Sequence, residues 1–353
     1  MAAKLLHSLL CTPEEFEEHI ELFSASIILS TVYGCDVASK DDPLFITVKR
    51  ANAAVMTYST PLILGVIDAL PWLPRFPHWL PDGGMKEIIA FVTASAQDLV
   101  HAPLRHFSQS KDIDNPRESM VGDFYQMRSE KEIPSTTEVA MKWAAATAFA
   151  AGTDTTFSTI VCFIYAMILH PDVQRRAQAQ LDPVVGHERP PTLDDRKGLP
   201  LIDAILREVI RWIPVVPTNL PHAVSENDIY EGYFIPKGAN VIVNIWAIFR
   251  DEKRYPDPEA FNPDRFLTSD GALTNDMSYM TVFGFGRRIC PGRHLAETSI
   301  WVAMANMLAA FTFETLENVN GKSWEEDIKW TWGITARPTG FKCTITPRFH
   351  GVW

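Results

Sequence analysis

The segment Phe283-Gly284-Phe285-Gly286-Arg287-Arg288-Ile289-Cys290-Pro291-Gly292 places one cysteine behind a run of glycines and arginines and ahead of a helical pattern. Gly284 and Gly286 permit backbone conformations closed to other residues, so the chain there can press flat against a large planar partner. Pro291 suits the first position of a helix, and apolar spacing continues through Leu295, Trp301, Val302, Met304 and Leu308. A cysteine at a helix N-terminus faces the positive end of the dipole and unpaired amides, which favours the thiolate. Arg287, Arg288 and Arg293 add positive charge beside it. A thiolate held in this way can ligate an iron, and a neighbouring arginine can pair with an acidic group.

Two other stretches carry charge on apolar helices. From Leu201 to Trp212 the spacing predicts a helix, apolar at Leu201, Ile202, Ile205, Leu206, Val209, Ile210 and Trp212. Glu208 and Arg211 lie at i, i+3 on one face and can pair. On so apolar a helix the pair is expected to be buried, and buried charges need partners. A long helix is predicted from about Thr136 to His170, and it contains Ala151-Gly152-Thr153-Asp154-Thr155-Thr156. An aspartate inside an apolar helix is costly unless satisfied. A glycine there costs about 1 kcal/mol relative to alanine. Threonine hydroxyls can bond back to the preceding turn and bend the helix. Together these residues predict a functional interruption of the helix.

Phe283, Gly286, Arg288, Cys290 and Gly292 fit the pattern F-x-x-G-x-R-x-C-x-G. With the other two motifs in the same order, the chain resembles the cytochrome P-450 family. Ligation of haem by a cysteine thiolate is a property of that family, not something the spacing shows. The resemblance implies haem b (iron protoporphyrin IX), with the Cys290 thiolate as axial ligand. It implies contacts to that group from Phe283, Gly286 and Gly292, and a propionate partner in Arg288. In the turn Pro214 to His222 it implies that His222 pairs with a propionate. It adds Arg265, from Phe261-Asn262-Pro263-Asp264-Arg265-Phe266, to Glu208 and Arg211 as a triad that holds the haem-side core. It implies that Thr155 steadies dioxygen, that Asp154 feeds protons from water, and that small residues at Ala151 and Gly152 let the helix pass close over the haem. The Ile235-Pro236-Lys237-Gly238 turn and the run from Tyr255 to Phe266 are closest to fungal members that oxidise secondary metabolites or foreign compounds.

Composition agrees with a globular, mostly helical protein. The 353 residues are 46% hydrophobic, enough for a large core. The net charge of −11 argues against a nucleic-acid partner, which needs an excess of basic residues. Cys11, Cys35, Cys162, Cys290 and Cys343 are odd in number, widely spaced and without a C-x-x-C, so neither a zinc site nor a disulfide framework is indicated. A reducing compartment follows. No run reaches about 18 uninterrupted apolar residues, so no membrane-spanning helix is predicted. The N-terminus lacks the apolar region of a signal peptide.

Outside the motifs, Thr12 is expected to cap a helix that Pro13 opens and that runs towards Tyr33. Further helices are expected from about Pro43 to Met56, from Gly84 to about Gln109, and from Pro171 to about Leu181. A Pro- and Trp-rich break is read at Pro71 to Pro81, a loop at Asp112 to Glu118, and a helical turn at Thr192 to Lys197. Ile229-Tyr230, Tyr233-Phe234-Ile235 and Val241-Ile242-Val243 are read as one small sheet, and Phe341 to Pro347 as a late strand. The fold expected is mainly α with a small β-sheet, a single cytochrome P-450-like domain over 1–353. Family members usually carry a membrane anchor, a hinge, strands and early helices ahead of the point where Met1 falls. The expectation is therefore an N-terminally truncated version of the fold: either the gene model or transcript is truncated, or the haem pocket is open on one side, and the chain as written is expected to bind haem more weakly than one with that region restored. The family normally sits on the endoplasmic reticulum membrane; for this chain a soluble cytoplasmic or peripherally attached protein is expected.

Three activities are compatible with these readings. The first is a haem-thiolate monooxygenase that inserts one oxygen atom from dioxygen into a small apolar substrate. It would act as a monomer, with electrons from an NADPH-cytochrome P-450 reductase or a cytochrome b-type donor. The second is a haem-thiolate isomerase or dehydratase, against which the intact Asp154-Thr155 pair argues. The third is a non-catalytic haem-binding fragment. An absorption spectrum of the reduced, carbon monoxide-treated protein separates the third from the others. Dependence of turnover on electrons separates the first from the second.

Overall fold

Along Phe16–Tyr33 the buried residues, among them Phe16, Ile20, Phe23, Ala25, Ile28, Leu29, Val32 and Tyr33, go all round the helix, the pattern of a helix enclosed in a core rather than lying on a surface. That helix stops at Gly34, whose left-handed backbone (φ 66°) lets its N–H reach the Leu29 and Ser30 carbonyls. The computed structural model describes residues 1–58, 65, 69–70, 84–109, 118–315, 328–331 and 333–349. The expected break at 71–81 and the loop at 112–117 lie outside them.

The chain forms two compact units. Unit 1 comprises residues 1–157 and 332–334. Its helices are α1 (Ala2–Cys11), α2 (Phe16–Tyr33), α3 (Pro43–Tyr58), α4 (Gly84–Gln109), α5 (Met120–Glu130) and the first part of α6 (Ser135–Leu169). α1 packs on α2 through Leu5, Leu6 and Leu9, and α3 runs along α4. Neither α1 nor α5 is anticipated from the sequence. The Thr12 hydroxyl makes no cap. It meets His19 Nε2 at 2.7 Å instead, and Pro13–Glu15 forms a separate 3₁₀ turn before α2.

Unit 2 comprises residues 158–331 and 335–353. It holds the remainder of α6, then α7 (Pro171–Val185), α8 (Pro200–Trp212), the one-turn α9 (Ile245–Ile248) and α10 (Arg293–Ala310). α10 packs against α7 and α8. Trp301, Met304, Met307 and Leu308 from α10, with Ile202, Ile205 and Val209 from α8 and Phe163 and Met167 from α6, are fully buried. Each such side chain contributes about 1.5–3 kcal/mol over leaving it in water.

The strands of unit 2 pair in twos. β1 (His222–Ala223) meets β4 (Asn240–Val241), and β2 (Asp228–Tyr230) meets β3 (Tyr233–Ile235). The single small sheet read from the sequence is therefore two separate ladders. Glu231 and Gly232, both at positive φ, close the β2–β3 hairpin. β5 (Phe311–Thr315) runs antiparallel to β8 (Cys343–Pro347), and β6 (Lys329–Trp330) to β7 (Pro338–Thr339). The Gln174 carboxamide on α7 clamps β5, donating to the Phe313 carbonyl at 2.9 Å and accepting from its N–H at 2.8 Å.

Among the described residues one helix, α6, is long and apolar enough to cross a membrane by length and composition alone. α6 carries an 18-residue window of mean hydropathy 1.4, but 72% of that window is buried inside the protein. Its apolarity is that of a core helix. The predicted interruption of α6 is not seen, since the helix runs unbroken through Gly152 and Asp154.

Candidate active site

A short 3₁₀ turn, Ser278–Phe283, ends where Gly284 adopts φ 80° and donates its N–H to the Thr281 carbonyl at 3.1 Å. The chain extends through Phe285 and turns again at Gly286 (φ 61°), with Ile289 N–H on the Gly286 carbonyl at 3.2 Å. Cys290 N–H then donates back to the Phe283 carbonyl at 2.8 Å, closing the loop. The backbone thus fixes Cys290 without using its side chain, and the thiol is free and half-buried. The space a Cβ at Gly286 would occupy is open, so a flat partner can approach the backbone there. A Cβ at Gly292 would lie 3.9 Å from Cys290 Sγ. Pro291 is not the first helical residue as expected. It belongs to a turn, Gly292 is the N-cap, and α10 starts at Arg293.

Arg287, Arg288 and His222 line one cleft of about 750 Å³, together with Pro221, Ala223 and Ser225. The β1–β4 ladder sets His222 opposite Val241. Arg287, read in the sequence only as a nearby charge, is part of this lining. Two guanidinium groups and an imidazole in one cleft suit the carboxylates of a dianionic partner. A soft thiol on the adjoining loop suits an iron. The donor set in unit 2 therefore fits haem.

Glu208 and Arg211 are fully buried on α8. Arg211 is bidentate, with Nε to Oε2 at 2.7 Å and Nη2 to Oε1 at 2.8 Å. Its remaining donors go to the carbonyls of Phe249, Pro258 and Ala260, and its guanidinium carbon lies over the Tyr255 ring, 5.4 Å from the ring centre. Arg265 Nε reaches Glu208 Oε1 at 3.2 Å, and the Asn262 N–H reaches the same oxygen at 2.8 Å. Arg265 also donates to the carbonyls of Pro256, Asp257 and Ala260. The structure brings all three triad residues together. The i, i+3 spacing carried the signal for the first pair; the carbonyls that complete the arrangement had none.

In unit 1, α6 carries Asp154 and Thr155 at half-buried positions. Thr155 Oγ1 donates to the Ala151 carbonyl at 2.8 Å, the back-bond expected of a helical threonine. Thr153 is buried, with no hydrogen-bond partner for its hydroxyl among the described residues. Gly152 has a packing reason within unit 1. A Cβ there would fall 2.7 Å from Ile28 Cδ1 of α2.

This predicts a background-dependent effect. Gly152→Ala alone is expected to leave stability within about 1 kcal/mol, its helix-propensity gain offset by overpacking. With Ile28→Ala already present, the same substitution is expected to stabilise by up to about 1 kcal/mol. Denaturant unfolding of the four proteins reads the coupling, and additive effects overturn the packing reason.

A sequence model described as Cytochrome P450 matches residues 11–344. Cytochrome P450 monooxygenase claT of Ampulloclitocybe clavipes is 37% identical over 352 residues, covering 99% of this chain and 69% of its own length. Cytochrome P450 monooxygenase claR of the same fungus is 32% identical, with 97% of this chain and 63% of the relative covered. Cytochrome P450 monooxygenase 136 of Postia placenta is 36% identical, with 98% and 65% covered. The chain thus spans between 63% and 69% of the length of these relatives. Among solved structures, a zebra fish cytochrome P450 with progesterone is similar at TM-score 0.75 and 28% identity, over 98% of this chain and 75% of that one. A mainly helical chain with a cysteine loop of this form, matched along nearly its whole length, belongs to the cytochrome P450 family.

Proposed function

We propose that this chain carries the haem-thiolate centre of a monooxygenase that inserts one oxygen atom of dioxygen into a small apolar organic substrate. The observation that carries this reading is the Cys290 loop: a free thiol fixed by its own backbone, beside a cleft lined by Arg287, Arg288 and His222. The monooxygenase names of the fungal relatives support it. Haem, when bound, supplies the iron at which dioxygen is reduced and split.

The chain's own groups have separable tasks. Cys290 Sγ binds the iron as thiolate. Arg288, Arg287 and His222 hold the haem carboxylates and orient the ring. Phe283, Gly286 and Gly292 keep the backbone and the space around Sγ in shape. Glu208, Arg211 and Arg265 hold α8 to the segment from Pro256 to Arg265, a scaffold role with no proton to move. Thr155 and Asp154 handle protons: to hand one on, Thr155 Oγ1 must leave its bond to the Ala151 carbonyl, and Asp154 relays the replacement proton from water. Electrons come from an NADPH-dependent reductase.

Two measurements test this. The reduced, haem-loaded protein treated with carbon monoxide is expected to show a thiolate-ligated band, and NADPH with a reductase is expected to drive product formation. A protein that binds haem but turns substrate over without electrons overturns the monooxygenase reading. Thr155→Ala is expected to lower product formed per NADPH and raise peroxide, since a positioned proton donor contributes about 10²–10⁴-fold. Unaltered coupling removes Thr155 from the mechanism.

A further inference from the structure

Tyr279 is buried in the 3₁₀ turn that leads into the cysteine loop. Phe266 meets its ring edge to face, with centroids 6.4 Å apart, and the Arg207 guanidinium carbon of α8 lies 5.0 Å from its centre. Arg207 also donates to the carbonyls of Thr274 and Asp276 at 2.8 and 3.0 Å, which fixes the chain just ahead of the turn. A phenylalanine would fill the same space. The hydroxyl therefore has a separate task, since a buried phenol needs a hydrogen-bond partner.

That partner is Glu297 on α10. Tyr279 Oη donates to Glu297 Oε1 at 2.6 Å, the length of a hydrogen bond to a charged oxygen. Burial, and then the carboxylate beside it, push the Tyr279 phenol well above its usual range, so the O–H remains a donor. The two residues are 18 apart in the chain, and Cys290 lies between them. On one side Phe283, at the end of the Tyr279 turn, accepts the Cys290 N–H at 2.8 Å. On the other, the Gly292 carbonyl accepts the Ala296 N–H at 2.9 Å and begins the helix that carries Glu297. The bonds close a ring that runs from the turn through Cys290 and the start of α10 and back through the two side chains. All of these residues lie in unit 2.

We propose that Tyr279 and Glu297 are a positioning pair that latches the two arms of the Cys290 loop together and so holds Cys290 Sγ where it meets the iron. This rests on the reading of Cys290 as the iron ligand. With the latch broken, Phe266 and Arg207 still hold the Tyr279 ring, and α10 still packs against α7 and α8. The arms between them can then part, and fewer bonds limit how far Sγ swings into solvent.

In the haem-free full chain, iodoacetamide alkylation at Cys290 is read by peptide mass spectrometry, with exposed Cys11 as internal reference. Tyr279→Phe and Glu297→Ala are each expected to speed Cys290 alkylation about tenfold, the fold-change equivalent of one hydrogen bond to a charged group, with Cys11 unchanged. The double variant is expected to be no faster than either, because the second change has no bond left to remove. Glu297→Gln keeps an uncharged acceptor at about half the strength, so about a threefold increase is expected. After haem loading, the share of the thiolate-ligated carbon monoxide band is expected to fall in the same order. Equal Cys290 rates in all the proteins overturn the proposal. So do additive effects in the double variant, or a Glu297→Gln protein as fast as Glu297→Ala. Loss of folding in both single variants overturns it too, because the pair would then hold the fold and not the loop. Faster alkylation in a chain whose parent shows no thiolate band leaves the latch standing and overturns the ligand reading instead.

Discussion

Serine in place of Cys290 is expected to abolish the thiolate-ligated carbon monoxide band of the reduced, haem-loaded protein, and with it product formation. The reason is the donor atom. A serine hydroxyl stays protonated near neutral pH and is a poor ligand for iron, whereas a thiolate is both accessible and soft. The loop itself should survive the change, because Cys290 is held through its N–H to the Phe283 carbonyl and not through its side chain. Haem-free Cys290→Ser is therefore expected to melt within about 1 kcal/mol of the parent, as for most changes at half-buried positions. Cys290→His keeps a nitrogen donor and is expected to bind haem with an altered band. An unchanged band in either variant removes Cys290 from the iron.

Arg211→Ala is expected to destabilise the protein by about 3–5 kcal/mol, the usual effect of removing one partner from a buried ion pair. That is a large part of the roughly 5–15 kcal/mol that holds a folded domain together. Glu208, fully buried, would keep only Arg265 Nε and the Asn262 N–H, and the carbonyls of Phe249 and Pro258 would lose their Arg211 donor. Arg265→Ala should cost less. Its side chain is 11% exposed, so water can enter and replace part of what it provides. Arg211→Lys keeps the charge but not the two-pronged geometry, and should fall between the two. Denaturant unfolding of the three variants gives the order. An Arg211→Ala protein as stable as the parent would mean that the network adds no stability here.

What could be read from the residues alone was what depends on near neighbours in the chain. Apolar spacing located α2, α3, α4, α6, α8 and α10 to within a few residues, because a helix is built from contacts three and four positions apart. The cysteine loop and the Glu208–Arg211 pair were legible for the same reason, since their geometry is set within a few residues. α1 was missed because it is short and its burial, through Leu5, Leu6 and Leu9, depends on α2. β5 carried a signal, since Phe311-Thr312-Phe313-Glu314-Thr315 alternates apolar and polar residues, but it is short and follows α10 without a break, so only its pairing with β8 and the Gln174 clamp mark where the helix ends and the strand begins.

The tertiary structure decided everything that rests on partners distant in sequence. It sent the Thr12 hydroxyl to His19 instead of to a helix cap, split the strands near His222 into two ladders, and put Ile28 where a Gly152 side chain would stand. It also ringed Arg211 with the carbonyls of Phe249, Pro258 and Ala260. A backbone carbonyl or an empty Cβ position has no residue type to betray it, so such contacts leave no pattern along the chain. The motifs determined which family chemistry this protein can carry. Packing determined which side chains keep the cysteine loop and its scaffold in place, because only folding brings those partners within bonding distance.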